Sequence, residues 1–211
     1  MCKKNVLIID DETYVPHDPT NIPGDEYYHC LFKSEVPVEF TLKRKEKFPK
    51  KYLVWQAIDE MGNVSSPYIQ LGTMDSKIYL EECLKKRLLP FIKKHHNLDE
   101  ILFWSDMASI HYAADVCQWL KQQNINFVPL NNNAPNIPQA RPIETFWALC
   151  KSEYKRQQYY PKDLDEFKKI WKLLSNKVAK NSAQTLMKGV RGKIRTIAYY
   201  GVDELLKKEN K

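Results

Sequence analysis

Three carboxylates stand where an apolar run gives out or a helix is about to begin: Asp11 after NVLIID, Asp106 after ILFWS, and Glu144 just after Arg141-Pro142-Ile143. They lie far apart in the chain, so only a fold brings them together. If the two apolar runs are neighbouring strands and the helix packs across them, the three acids converge as hard oxygen ligands with positions left open for phosphate. A pair of Mg²⁺ ions held in that way clamps the attacking and leaving oxygens of an in-line phosphoryl displacement. The ordinary alternative is that, among 26 acidic residues, some fall at strand ends as turn formers or helix caps. Asp10 competes with Asp11 for the first position, and strand alternation puts the two on opposite faces.

Those acids need a framework, and the composition allows one. The chain has 211 residues, 43% of them hydrophobic and 28% charged, a balance that builds one substantial core and excludes the charge-heavy, apolar-poor pattern of disorder. The formal charge is +7, with Lys/Arg clusters at Lys43, Arg44, Lys45 and Lys47, at Lys85, Lys86 and Arg87, and at Lys188, Arg191, Lys193 and Arg195. Such surfaces favour a polyanionic partner, although any one cluster is equally read as a solvated face. The five cysteines are odd in number and widely spaced, so they form neither a disulfide framework nor a zinc pattern. No apolar run approaches the length of a membrane span, which points to the cytoplasm or nucleus.

Residues 5–10 read as a short strand buried on both faces. Between residues 14 and 38, Pro16, Pro19, Pro23, Gly24 and Pro37 break any period and predict a long excursion or loose hairpin. Residues 38–42 and 51–58 predict strands around a basic turn, and the DEMGN turn at 59–63 leads to another strand at 66–71. The period then changes. Residues 76–94 predict an amphipathic helix capped by Asp75 or Ser76, with Pro90 expected to bend its last turn. A strand at 101–104, a helix at 111–123 and a strand at 125–129 make a βαβ-like unit, with Asp106 at the strand end where ligands collect in such sheets. Residues 131–141 are a polar loop, and Pro142 starts a helix whose stripe of Ile143, Phe146, Trp147, Cys150 and Tyr154 leaves Glu144 at its border. Two basic amphipathic helices, 163–178 and 182–199, finish the chain. The expected class is a single α/β domain.

Segment by segment, the chain resembles the Tc1/mariner superfamily of DNA transposases. Asp11-Glu12 after a buried strand is similar to the family's first motif, and the acid's place immediately before Glu favours Asp11 over Asp10. Tyr52-Leu53-Val54-Trp55-Gln56-Ala57-Ile58 with Gly62 beyond resembles its "VWG-I…G" strand and turn, with Gln56 where glycine is usual. GTMDSKIY at 72–79, Leu89-Pro90, and Ser105-Asp106 with His111 five residues on match further segments. Arg141-Pro142-Ile143-Glu144-Thr145-Phe146-Trp147 resembles "N-P-I-E-x-x-W". The 37 residues from Met107 to Ile143 give a DD37E-like spacing. Met107 replaces the asparagine usual after the second acid, and IPQARP replaces "SPDLNP", so a hydrogen bond behind Asp106 and the loop before Glu144 are expected to differ.

The resemblance implies an RNase H-like fold, a central mixed sheet flanked by helices. It implies Mg²⁺-dependent cleavage of DNA at transposon ends and strand transfer, with Mn²⁺ as a substitute and Asp11, Asp106 and Glu144 as catalytic and metal-holding residues. Glu12 and His111 are supporting candidates, His111 as a group that orients phosphate or water. Phe146 and Trp147 are expected in the core. Candidate contacts to double-stranded DNA are Lys43, Arg44, Lys45, Arg141, Lys188 and Arg191. The resemblance further implies an active homodimer, a clamp-like insertion at 14–38, a nuclear location in a eukaryote, and helix-turn-helix end recognition lying outside this chain. Two alternatives remain open: another RNase H-fold nuclease, and a domesticated DNA-binding protein without turnover.

Overall fold

A computed structural model describes residues 5–22, 32, 36, 48–133, 140–157 and 159–201 of the chain. The first strand, β1 (Val6–Pro16), is twice as long as its apolar run suggests. It continues through Asp10 and Asp11 because its second half pairs antiparallel with β2 (Lys51–Asp59), Thr13 opposite Val54 and Val15 opposite Tyr52. Asp11 is therefore inside a strand and not at its end. Tyr14, Val15 and Pro16, expected in an irregular excursion, belong to this strand, and a short 3-10 turn, Pro19–Asn21, follows. Most of the 14–38 segment, the strand expected at 38–42, and Lys43, Arg44 and Lys45 lie outside the described residues.

β2 turns back through Asp59–Asn63 into β3 (Tyr68–Leu71). Asp59 is fully buried and accepts from the backbone of Met61 and Asn63, while Gly62 takes a φ of +89° with Gln184 closing in where a Cβ would stand. Only glycine fits both demands. β4 (Ile101–Trp104) joins the other side of β1 in parallel, giving the order β3-β2-β1-β4. The strand expected at 125–129 is reduced to a single parallel bridge, Phe127 to Phe103.

Helices cover both faces of this mixed sheet. On one side lie α1 and α2. The first is a continuous run made of Ser76–Ile78, a π-helical stretch Tyr79–Leu88 and Leu89–His95; the second is Ala114–Gln122. Asp75 caps the run by accepting from the Ile78 N–H, and Pro90 sits in the first turn after the π stretch. Ile8, Trp55, Ala57, Tyr79, Leu84, Phe103 and Trp119 fill this layer. On the other side lie α3 (Pro142–Arg156) and α4 (Leu164–Val178), capped by Asp163. A π turn, Ala179–Ala183, then leads to α5 (Gln184–Lys188) and α6 (Val190–Tyr200). Ile9, Tyr52, Val54, Phe146, Trp147, Phe167 and Trp171 fill this second layer, which places Phe146 and Trp147 in the core. Gln56, where glycine was the usual residue, is a buried polar crosslink: its amide donates to the Ser65 carbonyl and accepts from the Trp171 indole.

Of the cysteines, Cys83 and Cys150 are buried free thiols and Cys117 is partly exposed. Among the described residues no helix is long and apolar enough to cross a membrane.

Candidate active site

The parallel register of β1 and β4 brings two of the acids to the same end of the β1–β4 pairing. Ile9 opposite Trp104 is the last paired position, and Asp11 and Asp106 each lie two residues beyond it. α3 then runs along β1 in the same direction, tied to it at four levels. Arg141 donates to the Asp10 carbonyl at 2.6 Å, Trp147 Nε1 to Asp11 Oδ2 at 3.1 Å, Lys151 to Thr13 Oγ1 at 2.7 Å, and Tyr154 to the His17 carbonyl at 2.7 Å. This path carries Glu144, exposed in the first turn of α3, over the end of the sheet where Asp11 lies.

Asp11 lies within electrostatic reach of both Glu144 and Asp106. Burial and then repulsion from Glu144, with further repulsion from Glu12 and Asp106, push the Asp11 carboxyl up to about 7, against a smaller opposing pull from Arg141. Asp106 behaves oppositely. Burial works against its charge, but His111, the Ala108 N–H and Arg141 outweigh burial and hold it below the ordinary carboxylate value. Its Oδ1 accepts from the Ala108 N–H at 2.9 Å, so Asp106 also forms the turn after β4.

Asp10 faces the other layer. It is fully buried, with Oδ2 accepting from Trp55 Nε1 at 2.9 Å and from the Tyr79 hydroxyl at 2.7 Å, and burial raises its pKa. His111 lies in a 3-10 turn, Ser109–Tyr112, and not in the helix expected there. Its ring is 2% exposed and packs against Tyr79 with centroids 4.4 Å apart. Nδ1 is 2.6 Å from Asp106 Oδ1 and Nε2 3.4 Å from Glu12 Oε2, close ion-pair contacts too oblique for aligned hydrogen bonds. Burial alone would lower its pKa, but Asp106, Glu12 and Asp10 raise it to about 10. The raised pKa favours its charged form at neutral pH, and its two ring nitrogens face the carboxylates of Asp106 and Glu12. Glu12 is its partner.

Beside the second acid the partners among the described residues are the Ala108 N–H and His111, not a side-chain amide. Met107 is exposed, and the Asn133 amide lies behind β4, accepting from Trp104 Nε1 at 2.7 Å and donating to the Ser105 carbonyl at 2.9 Å. Among the DNA-contact candidates, Lys188 is exposed, whereas Arg191 closes a fork on Glu60 and the Asn5 carbonyl and is a structural clasp. Arg141 is 7% exposed and lies over the Trp104 ring at 5.3 Å. The sequence reading placed Trp147 in the core but missed its bond to Asp11, and it missed Lys151, half-buried two turns after Glu144. Burial lowers the pKa of Lys151, while Glu144 and Asp11 pull it upward. A helical i, i+7 spacing from Glu144 is the signal that could have found Lys151.

Among the described residues, no three His, Cys, Asp or Glu side chains stand close enough to hold a metal ion as they are arranged. The donor set nonetheless suits a hard divalent cation. It consists of carboxylate oxygens, with Oδ1 of Asp11 and Oδ2 of Asp106 outside the bonds above, and the repulsion that raises Asp11 is what a cation relieves.

No protein-family model matches the sequence, and no curated protein matches it. Solved structures do. The mariner Mos1 paired end complex with Mg superposes with a TM-score of 0.71 at 15% identity, covering 90% of this chain and 54% of that one. The Mos1 paired end complex with Mn gives 0.62 and the Mos1 strand transfer complex 0.60, both at 15% identity and over 88% of this chain. The chain spans about half the length of the solved chains it matches. With its mixed four-stranded sheet between two helical layers, the chain has the RNase H-like α/β fold found in the mariner Mos1 structures.

Proposed function

We propose that this chain is the catalytic core of a mariner-type DNA transposase that cleaves DNA at transposon ends and joins the freed 3′-hydroxyl to target DNA. One observation carries the reading: Asp11 is raised to about 7 by burial and by the charges of Glu144 and Asp106, acids carried by two other elements of the fold. Asp11, Asp106 and Glu144 would hold two Mg²⁺ ions, with Mn²⁺ as substitute. When bound, the ions supply charge stabilisation and a more acidic water at the phosphoryl centre.

The chain's own residues prepare that site. Trp147 sets the orientation of Asp11 through its indole N–H. His111 and the Ala108 N–H keep Asp106 ionised and in one rotamer. Both acids next to the sheet project from strand or strand-end backbone, which holds ligands more exactingly than loops alone. The substrate is double-stranded DNA bound mainly through phosphates, with Lys188 and the cluster at Lys43, Arg44 and Lys45 as candidate contacts, so binding falls steeply with salt. The whole chain acts as one catalytic domain. The 14–38 segment is proposed as a clamp in an active homodimer, and the site of action in a eukaryote is the nucleus.

The test is nicking of supercoiled plasmid and linear end substrates in Mg²⁺ or Mn²⁺. Wild type is expected to nick duplex DNA, and Asp106→Ala to lose at least about 10³-fold. Equal rates in the two overturn the site assignment. Preference for an RNA:DNA hybrid or a four-way junction over duplex transfers the chain to another RNase H-fold nuclease class, and binding without turnover makes it a DNA-binding derivative.

A further inference from the structure

The helix that carries Glu144 begins on a residue whose chemistry differs from the motif it otherwise resembles. Arg141 stands where that motif has asparagine, replacing a short neutral amide with a long cation. The structure buries this cation beside acids without closing its fork on any of them. Nη2 donates to the Asp10 main-chain carbonyl at 2.6 Å, and the guanidinium lies over the Trp104 ring. Nη1 is buried and has no hydrogen-bond partner among the described residues. An orphaned donor on a buried guanidinium is costly and calls for an explanation.

Its surroundings narrow what the missing partner is. The positive charge is felt by the carboxyls of Asp10, Asp11 and Asp106, so Arg141 sits within the acid cluster. It also occupies the N-cap position of α3, a 15-residue helix, with its carbonyl accepting from the Glu144 N–H at 3.2 Å. The positive end of the helix dipole and the arginine charge thus coincide, an arrangement that attracts oxyanions. Carboxylates already near Arg141 leave Nη1 unused. A tetrahedral oxyanion brought in against the same acids, and needing a donor because those acids repel it, matches the vacancy.

We infer that Arg141 receives the phosphodiester being cut: Nη1 donates to a non-bridging oxygen of that phosphate while Nη2 stays on the Asp10 carbonyl. This rests on the transposase reading of the site and adds a substrate-contacting residue to it. The anchored limb fixes the direction of the free one, so the phosphate is positioned relative to the strand that carries Asp11. The charge also offsets the acids' repulsion of DNA, a task a neutral asparagine does not perform.

The experiment compares wild type, Arg141→Gln and Arg141→Lys in the full chain. Glutamine keeps a donor for the Asp10 carbonyl without charge; lysine keeps charge without the fork. Affinity for a fluorescent 30-bp duplex is measured in Ca²⁺ across a salt series, nicking of plasmid in Mn²⁺ under single turnover, and thermal unfolding for each protein. Loss of one phosphate contact is expected to reduce the salt slope of Arg141→Gln by about 0.9, with Arg141→Lys close to wild type. Nicking is expected to fall roughly 10²-fold in Arg141→Gln at saturating enzyme, with a smaller loss in Arg141→Lys.

A wild-type salt slope in Arg141→Gln with nicking within threefold of wild type overturns the inference, Nη1 then receiving no phosphate. So does a loss of nicking that merely follows a fall in melting temperature with the slope unchanged, because Arg141 would then only fasten α3 to β1. If Arg141→Gln does not unfold cooperatively, Arg141→Lys decides, and wild-type nicking in it overturns the inference. If wild type itself does not nick, the transposase reading fails separately, and the salt slope still judges the phosphate contact.

Discussion

Asp10 and Asp11 are chain neighbours with opposite surroundings. Asp10 points into the layer of α1 and α2, where Trp55 and Tyr79 donate to one oxygen and the His111 cation lies close by. Asp11 points toward α3, where it has one indole donor and a field dominated by other acids. The first face neutralises its charge internally; the second accumulates negative charge that only an external cation relieves. Alternation along a strand is enough to separate a structural acid from a reactive one by a single residue.

The largest expected effect tests the unrelieved face. Asp11 has a folded pKa raised from 3.8 to about 7, so its stabilising contribution is complete below about pH 4 and is lost as pH rises through 7. The metal-free protein should therefore weaken by up to about 4 kcal/mol between pH 4 and pH 8. Asp11→Asn should flatten that slope and abolish the rise in melting temperature that Mn²⁺ gives at pH 8. Calorimetric scans with and without Mn²⁺ check this, and a steep slope surviving in Asp11→Asn breaks the contrast.

The relieved face should fail differently. Asp10→Ala leaves the Trp55 and Tyr79 donors buried without an acceptor, a loss of about 3 kcal/mol with or without metal, read by urea unfolding. Next comes His111, with a folded pKa of about 10 against 6.5. Its contribution is complete below about pH 6.5 and lost as pH rises through 10. His111→Gln should lower stability by about 2 kcal/mol at pH 7 and by little at pH 10. An imidazole NMR titration near 6.5 would show that the internal neutralisation is absent. The smallest effect is remote from both faces: Gln56→Gly orphans the Trp171 indole and should cost about 1 to 2 kcal/mol without changing metal response, measured by the same unfolding assay.

Much of the framework is legible in the residue pattern. Ile101–Trp104, the helix beginning at Pro142 and the Asp163 cap follow from local signals: a compact apolar run, proline at the first helical position, and an N-cap aspartate. β1 is misjudged because DETYVP has no clean period, and its strand character comes from β2, 45 residues away at Asp11 and Gln56. Residues 125–129 err the other way. Their apolar character is real, but pairing with β4 stops after one bridge.

For the candidate site, sequence alone determined which acids follow apolar runs, that Asp10 and Asp11 face opposite ways, and that Glu144 rides a helix beside an apolar stripe. Those are consequences of local geometry, the two-residue strand period and the 3.6-residue helix period. Tertiary structure decided the rest: that His111 is buried between Asp106 and Glu12, that Asn133 bonds Trp104 and Ser105 behind β4, that Arg191 is spent on Glu60, and that Trp147, Lys151 and Arg141 line β1. The contacts of α3 with β1 join residues more than 130 positions apart. Burial, charge and hydrogen-bond supply at such points are set by which elements pack together, and no local period encodes that.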